Sequence, residues 1–117
     1  NYQIVRDALR GVATENRDVS NDFSRYDFTF AAKTGTAEVA GKQDFAWFAC
    51  YAPYEDPRFA LALCIEEGGS GGAVASPVAA RVMKAAIDYS NGVTIDYEKI
   101  SVGTPGKTQQ AGGESNE

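Results

Sequence analysis

Two runs of this chain, Asp44–Ala52 (DFAWFACYA) and Arg58–Glu66 (RFALALCIE), are apolar at odd and even positions alike. In the first, Phe45, Trp47 and Tyr51 alternate with Phe48 and Cys50. A strand sends successive side chains to opposite faces, so neither face of such a strand suits water. The link Pro53-Tyr54-Glu55-Asp56-Pro57 is turn-rich and of hairpin length. The pair therefore reads as an antiparallel hairpin that needs helices or further layers on both faces.

The rest of the chain supplies such elements. A third strand-like run, Asp27–Val39, lies upstream, with Phe28 and Phe30 on one side and Thr29 on the other. Before it, residues 2–13 place Val5, Leu9 and Val12 on one helical stripe, with Gly11 near the expected helix end. Residues 14–26 are polar and read as a connecting loop. After the hairpin, Gly68–Gly72 reads as a flexible joint. Ser76-Pro77 reads as N-cap and first position of a second helix. That helix lines up Val78, Val82, Met83, Ala86 and Ile87, and Asn91-Gly92 stops it. Val93–Ile100 has the composition of a short strand, and Ser101–Glu117 that of a flexible tail. The fold class is α+β: an N-terminal helix, a three-stranded antiparallel meander, and a C-terminal helix packed on the sheet. Residues 1–92 form the structural unit and 93–117 an extension.

Composition removes several functions. The 117 residues contain no His, so no Ser-His-Asp or Cys-His catalysis arises within this chain. Two Cys are too few for the usual zinc sites, and neither a metal nor a cofactor is expected. With 11 Lys+Arg against 16 Asp+Glu, the net charge of −5 argues against nucleic acid as a partner. The longest nearly apolar stretch, Phe45–Tyr54, is too short to span a bilayer, so no membrane segment is expected here. No signal peptide opens the chain, so it is expected to be cytosolic or to have its targeting segment elsewhere.

The segment that carries chemistry is Ala31-Ala32-Lys33-Thr34-Gly35-Thr36-Ala37-Glu38-Val39. Lys-Thr-Gly on a strand is a motif of penicillin-binding proteins and serine β-lactamases. Trp47-Phe48-Ala49-Cys50-Tyr51-Ala52-Pro53 resembles the next strand of that superfamily, and Pro57–Leu63 the strand after it. Gly71-Gly72 through Ser76-Pro77-Val78-Ala79 resembles its Gly-containing joint and last helix. Four segments in family order make residues 1–90 similar to the C-terminal part of a penicillin-binding protein transpeptidase domain, most like the class B type.

The resemblance implies a bacterial D,D-transpeptidase. Such enzymes attack a D-Ala-D-Ala amide with serine, form an acyl-enzyme, and pass the acyl group to an amine of a neighbouring peptidoglycan stem peptide. β-Lactams block them. Lysines rather than His activate that serine. In this reading Lys33 and Thr36 are the catalytic residues: Lys33 holds the network around the serine and attracts the substrate carboxylate, and the Thr36 N–H is an oxyanion donor. Thr34, Gly35 and Thr36 bind substrate, the two threonines as hydroxyl donors on one side. Gly35 lets the substrate backbone approach the strand. The resemblance also places the parent at the cell membrane, with this domain on the extracytoplasmic side. Two departures are small-for-small: Ala32 and Ala49 stand where Gly is common.

The larger departure is the missing nucleophile. None of the seven serines has Lys three residues on, and none begins Ser-x-Asn. In the family both motifs precede Lys-Thr-Gly. The chain alone is therefore expected to be inactive, with the missing N-terminal part of the domain as its first partner. In the family that part also supplies a strand beside the third strand here. Without it, Arg58–Glu66 is an open apolar edge, available to the missing half, to a second copy in a homodimer, or to Val93–Ile100. Two other readings stay open: a serine β-lactamase-like hydrolase, and a non-catalytic strand-pairing module.

Other features take plainer readings. Gly103–Thr108 imitates a phosphate-binding loop, but Ser101 stands where its first Gly belongs and no helical run follows. Cys50 and Cys64 fall on adjacent strands. They read either as two buried thiols or, with the resemblance placing the domain outside the cytoplasm, as a cross-strand disulfide. Trp47, Phe48 and Tyr51 read as core, and Glu55-Asp56 and Glu66-Glu67 as solvated loop carboxylates.

Overall fold

The computed structural model describes residues 1–95. In chain order it has α1 (Tyr2–Glu15), α2 (Arg17–Phe23), β1 (Ala31–Ala37), β2 (Phe45–Ala52), β3 (Phe59–Ile65), a π-helical turn (Gly71–Ala75) and α3 (Ser76–Ser90). The architecture is the α+β meander expected, with strand order β1-β2-β3 and both pairings antiparallel. Of the expected strand over 93–100, Val93–Ile95 are described and carry no strand; the remainder and the tail lie outside the described residues.

The register divides the sheet into two unlike faces. Ala46, Phe48, Cys50 and Ala52 are buried on one face, under Ala79, Ala80 and Met83 of α3. Leu61, Leu63 and Ile65 are their partners on β3. The other face carries Trp47, which is 46% exposed, with Ala49, Ala60 and Ala62 also open. The expectation that both faces are covered holds for the first, and for the second only at its Ala31–Tyr51 end, where Ala31 is fully buried near Leu9 of α1. Trp47 is not core, whereas Phe48 is.

Residues 14–26 are mostly helical rather than a loop. α1 runs through Gly11 to Glu15, and Asn16 both ends it and starts α2. The Asn16 backbone N–H donates to Val12 O, and its side-chain oxygen accepts from the Val19 N–H at 3.2 Å. Reuse of one residue as both caps lets two helices follow without a linker. Val19 and Phe23, four apart, then bury one face of α2 almost completely. Phe23 stacks on Phe30 with ring centroids 3.8 Å apart and meets Phe28 edge-on at 6.0 Å. That packing claims Phe28 and Phe30, so β1 begins at Ala31 and not Asp27. On α1, Leu9 and Val12 are half-buried, Val5 is exposed, and Ala13 is the residue in the core.

The start of α3 also differs. Helical winding begins at Gly71, with Ser70 as the cap, its hydroxyl accepting from the Ala73 N–H at 3.4 Å. Ser76 is therefore interior and fully buried rather than an N-cap. At the far end the helix stops at Asn91, with Gly92 at φ 71°.

Candidate active site

The site is built on β1, the strand at one edge of the sheet. Its entry is tied down from α1. Arg10 donates to Phe30 O at 2.6 Å, and Arg6 to Tyr54 O at 2.5 Å. The Tyr54 N–H donates to the Thr29 hydroxyl oxygen at 3.0 Å, and that hydroxyl donates to Glu55. This last bond holds the Glu55 carboxyl below the usual range. The Glu55 and Asp56 side chains are otherwise solvent-exposed, as are Glu66 and Glu67. Among the described residues no group of three or more metal-ligating side chains converges.

Lys33, Thr34, Gly35 and Thr36 stand opposite Ala49, Phe48, Trp47 and Ala46. Thr34 and Thr36 therefore share the face of Phe48, as their spacing implies, with Thr34 half-buried and Thr36 exposed. Lys33 lies on the opposite, open face beside Ala49 and Ala62. There Leu9, Ala31, Lys33, Tyr51, Ala60 and Ala62 contribute to a groove of about 390 Å³. The Lys33 ammonium donates to Thr34 O at 2.5 Å.

The backbone polarity of β1 follows from a close contact behind it. A Cβ at Gly71 would lie 2.4 Å from Gly35 O, 2.4 Å from Trp47 O and 3.0 Å from Gly35 N. Oxygens of two opposed residues converge in this way at the closely hydrogen-bonded pair of an antiparallel ladder. Gly35 and Trp47 thus exchange their backbone bonds. By alternation, the N–H and C=O of Thr34 and Thr36 point away from β2, to the open edge. Lys33 reaching Thr34 O agrees with that placement. Gly35 itself is tight but less so: a Cβ there would meet Trp47 Cβ at 3.3 Å.

The structure separates the cysteines. Cys50 pairs with Leu61 on the buried face, and Cys64 pairs with Trp47 on the open face. Both are free thiols, and their parity in the register rules out a cross-strand bridge. Burial pushes the Cys50 thiol up to about 12. Gly71 and Gly72, read from sequence as part of a flexible joint, are buried against the sheet. Adjacent glycines signal close backbone approach as well as a hinge, and here the first meaning holds.

The family model of the penicillin binding protein transpeptidase domain matches residues 1–84. The peptidoglycan D,D-transpeptidase MrdA of Salmonella typhimurium is 29% identical over 98 residues, covering 70% of this chain and 16% of that protein. Among solved structures, Pseudomonas aeruginosa PBP2 in complex with WCK 5153 is similar at a TM-score of 0.66 and 31% identity, covering 80% of this chain and 20% of that one. The penicillin G acyl-enzyme complex of penicillin-binding protein A from M. tuberculosis is similar at a TM-score of 0.50 and 31% identity, covering 63% and 19%. This chain thus spans about a sixth of the curated relative's length. Matched over residues 1–84 and sharing the fold of these enzymes, the chain belongs to the penicillin-binding protein transpeptidase domain family.

Proposed function

We propose that this chain supplies the Lys-Thr-Gly wall of a bacterial D,D-transpeptidase that cross-links peptidoglycan in cell wall biogenesis and is acylated by β-lactams. The observation that carries the reading is the open edge of β1, where Lys33-Thr34-Gly35-Thr36 turns two N–H groups outward. A stem peptide ending in a carboxylate lies along that edge as an added strand. Thr34 and Thr36 donate hydroxyls to the carboxylate. A serine from the rest of the domain attacks the carbonyl carbon, and the Thr36 N–H stabilises the resulting oxyanion. The C–N bond then breaks, D-Ala leaves with the serine's proton, and an amine of a second stem takes the acyl group. Lys33 supplies positive charge to the proton network at the serine. β-Lactams enter the same acylation step and stop there.

The rest of the transpeptidase domain is the partner that completes the site and covers the face bearing Trp47. β3 is an unpaired edge in the described sheet, which favours strand pairing with that part, or with a second copy when it is absent. The parent protein sits at the cell membrane with this domain outside the cytoplasm. Among the described residues no helix is long and apolar enough to cross a membrane.

Incubation with a fluorescent penicillin followed by a denaturing gel tests the reading. The full-length protein containing this chain is expected to carry a covalent label, and the isolated chain none. An unlabelled full-length protein overturns the assignment, and a labelled 12.5 kDa band overturns the placement of the nucleophile outside the chain.

A further inference from the structure

We infer that Gly71 is a positioning residue for the acylation site, setting the depth of the Gly35–Trp47 rung and with it the aim of the Thr36 N–H. The inference rests on the proposed function and adds a residue that touches no substrate. Gly71 is buried at the first position of the π-helical turn that lies on the sheet opposite the open face. Its α-carbon comes so near the rung that a Cβ would sit 2.4 Å from two backbone oxygens. Both oxygens belong to hydrogen-bonded strands, so neither can rotate away as a side chain would. To restore an ordinary contact of 3.4 Å, the turn and β1 must separate by about 1 Å. β1 is the outer strand, bonded on one side alone, so it is the softer of the two strands under the turn. A shift there moves Thr36, the next residue along. Displacement of a catalytic donor by about 1 Å lowers a rate by roughly 100-fold.

Gly72 is the internal control. A Cβ there would meet the Thr34 methyl at 3.8 Å and the Asn16 amide at 3.9 Å, ordinary contacts. The two adjacent glycines are thus equally alanine-like in sequence and opposite in their demand for space. Ser70 offers a gentler perturbation, because its hydroxyl caps the turn through the Ala73 N–H.

The test uses the full-length protein that contains this chain and measures stopped-flow acylation by a fluorescent penicillin, normalised to folded enzyme. Gly71→Ala is expected to lower the acylation rate constant roughly 100-fold, with the non-covalent dissociation constant for the same penicillin changed less than about threefold. Gly72→Ala is expected to stay within about threefold of wild type in both. An uncapped turn also drifts, so Ser70→Ala is expected to slow acylation by about threefold to tenfold with a melting temperature lower by a few degrees. If Gly71→Ala does not fold, the Ser70→Ala result decides in its place. Gly71→Ala acylating at the wild-type rate overturns the inference, as does a rate loss matched by an equal loss of non-covalent binding. Equal effects at Gly71 and Gly72 also overturn it. A wild-type protein that takes no label overturns the functional reading and this inference with it, which distinguishes the two failures.

Discussion

Replacing Phe23 by Ala tests how the short helix before the active strand is held. Phe23 is 1% exposed. Its ring stacks on Phe30 at 3.8 Å, lies near-parallel to Phe48 at 6.0 Å, and takes the edge of Phe28 at 6.0 Å. Deleting a buried Phe ring costs about 3–5 kcal/mol through lost transfer energy and a residual cavity. Three aromatic partners place the cost in the upper half of that range, since each favourable ring pair adds about 0.5–1.5 kcal/mol. An upper limit comes from α2 itself. Seven residues cannot hold a helix alone, so α2 can detach once Phe23 is gone, and the loss stops at its docking energy. We expect a net cost of about 4 kcal/mol, a large part of a small domain's stability. With a urea slope of about 1.5 kcal/mol/M, the midpoint falls by roughly 2.7 M. The lone Trp47 reports the transition by fluorescence from the opposite face, untouched by the substitution, and far-UV circular dichroism gives an independent trace. A midpoint shift under about 0.5 M would refute the argument that Phe23 ties α2 to the sheet.

Two further outcomes follow from buried and half-buried titratable groups. In the isolated native chain a maleimide is expected to modify Cys64 and spare Cys50, which reacts only after unfolding. Non-reducing mass spectrometry should find two thiols and no bridge, and a mass lower by two hydrogens would contradict the register. Partial burial beside α3 raises the Asp22 carboxyl above its ordinary 3.8, helped by the Asp18 charge and against the opposing pull of the Ser76 hydroxyl, Arg25 and Arg81. The folded state then binds the proton more tightly than the unfolded chain. Asp22 therefore contributes stability below pH 3.8 that is lost as pH rises through the raised value. Asp22→Asn, neutral throughout, should gain in melting temperature over wild type as pH rises from 3 to 7; a difference independent of pH would contradict this.

Much of the fold was legible because its signals are periodic. Two-faced apolar runs marked β2 and β3, and Lys33-Thr34-Gly35-Thr36 fell on a strand, β1, as the sequence led us to expect. What stayed hidden depends on contacts between segments distant in sequence. α2 offers only Val19 and Phe23 as apolar residues, too few for a helical stripe, and its helicity rests on the Asn16 cap and on Phe30. The fate of Trp47 and the separation of the cysteines depend on register, which composition leaves undetermined. Gly71 and Gly72 look alike on paper, and only the closeness of Gly35 tells them apart. No serine of the sequence begins Ser-x-x-Lys, and on the proposed function the nucleophile comes from the rest of the domain.

The central claim is that Lys33 on β1 serves an acylation site completed by the rest of the domain. The most direct measurement is the acylation rate of the full-length protein by a fluorescent penicillin, wild type against Lys33→Ala. Lys33 is exposed in this chain, so its loss should leave the melting temperature nearly unchanged. We expect acylation to fall by about 100-fold or more, the scale on which removing one proton-network or charge-stabilising group acts. Acylation within about threefold of wild type would contradict the account.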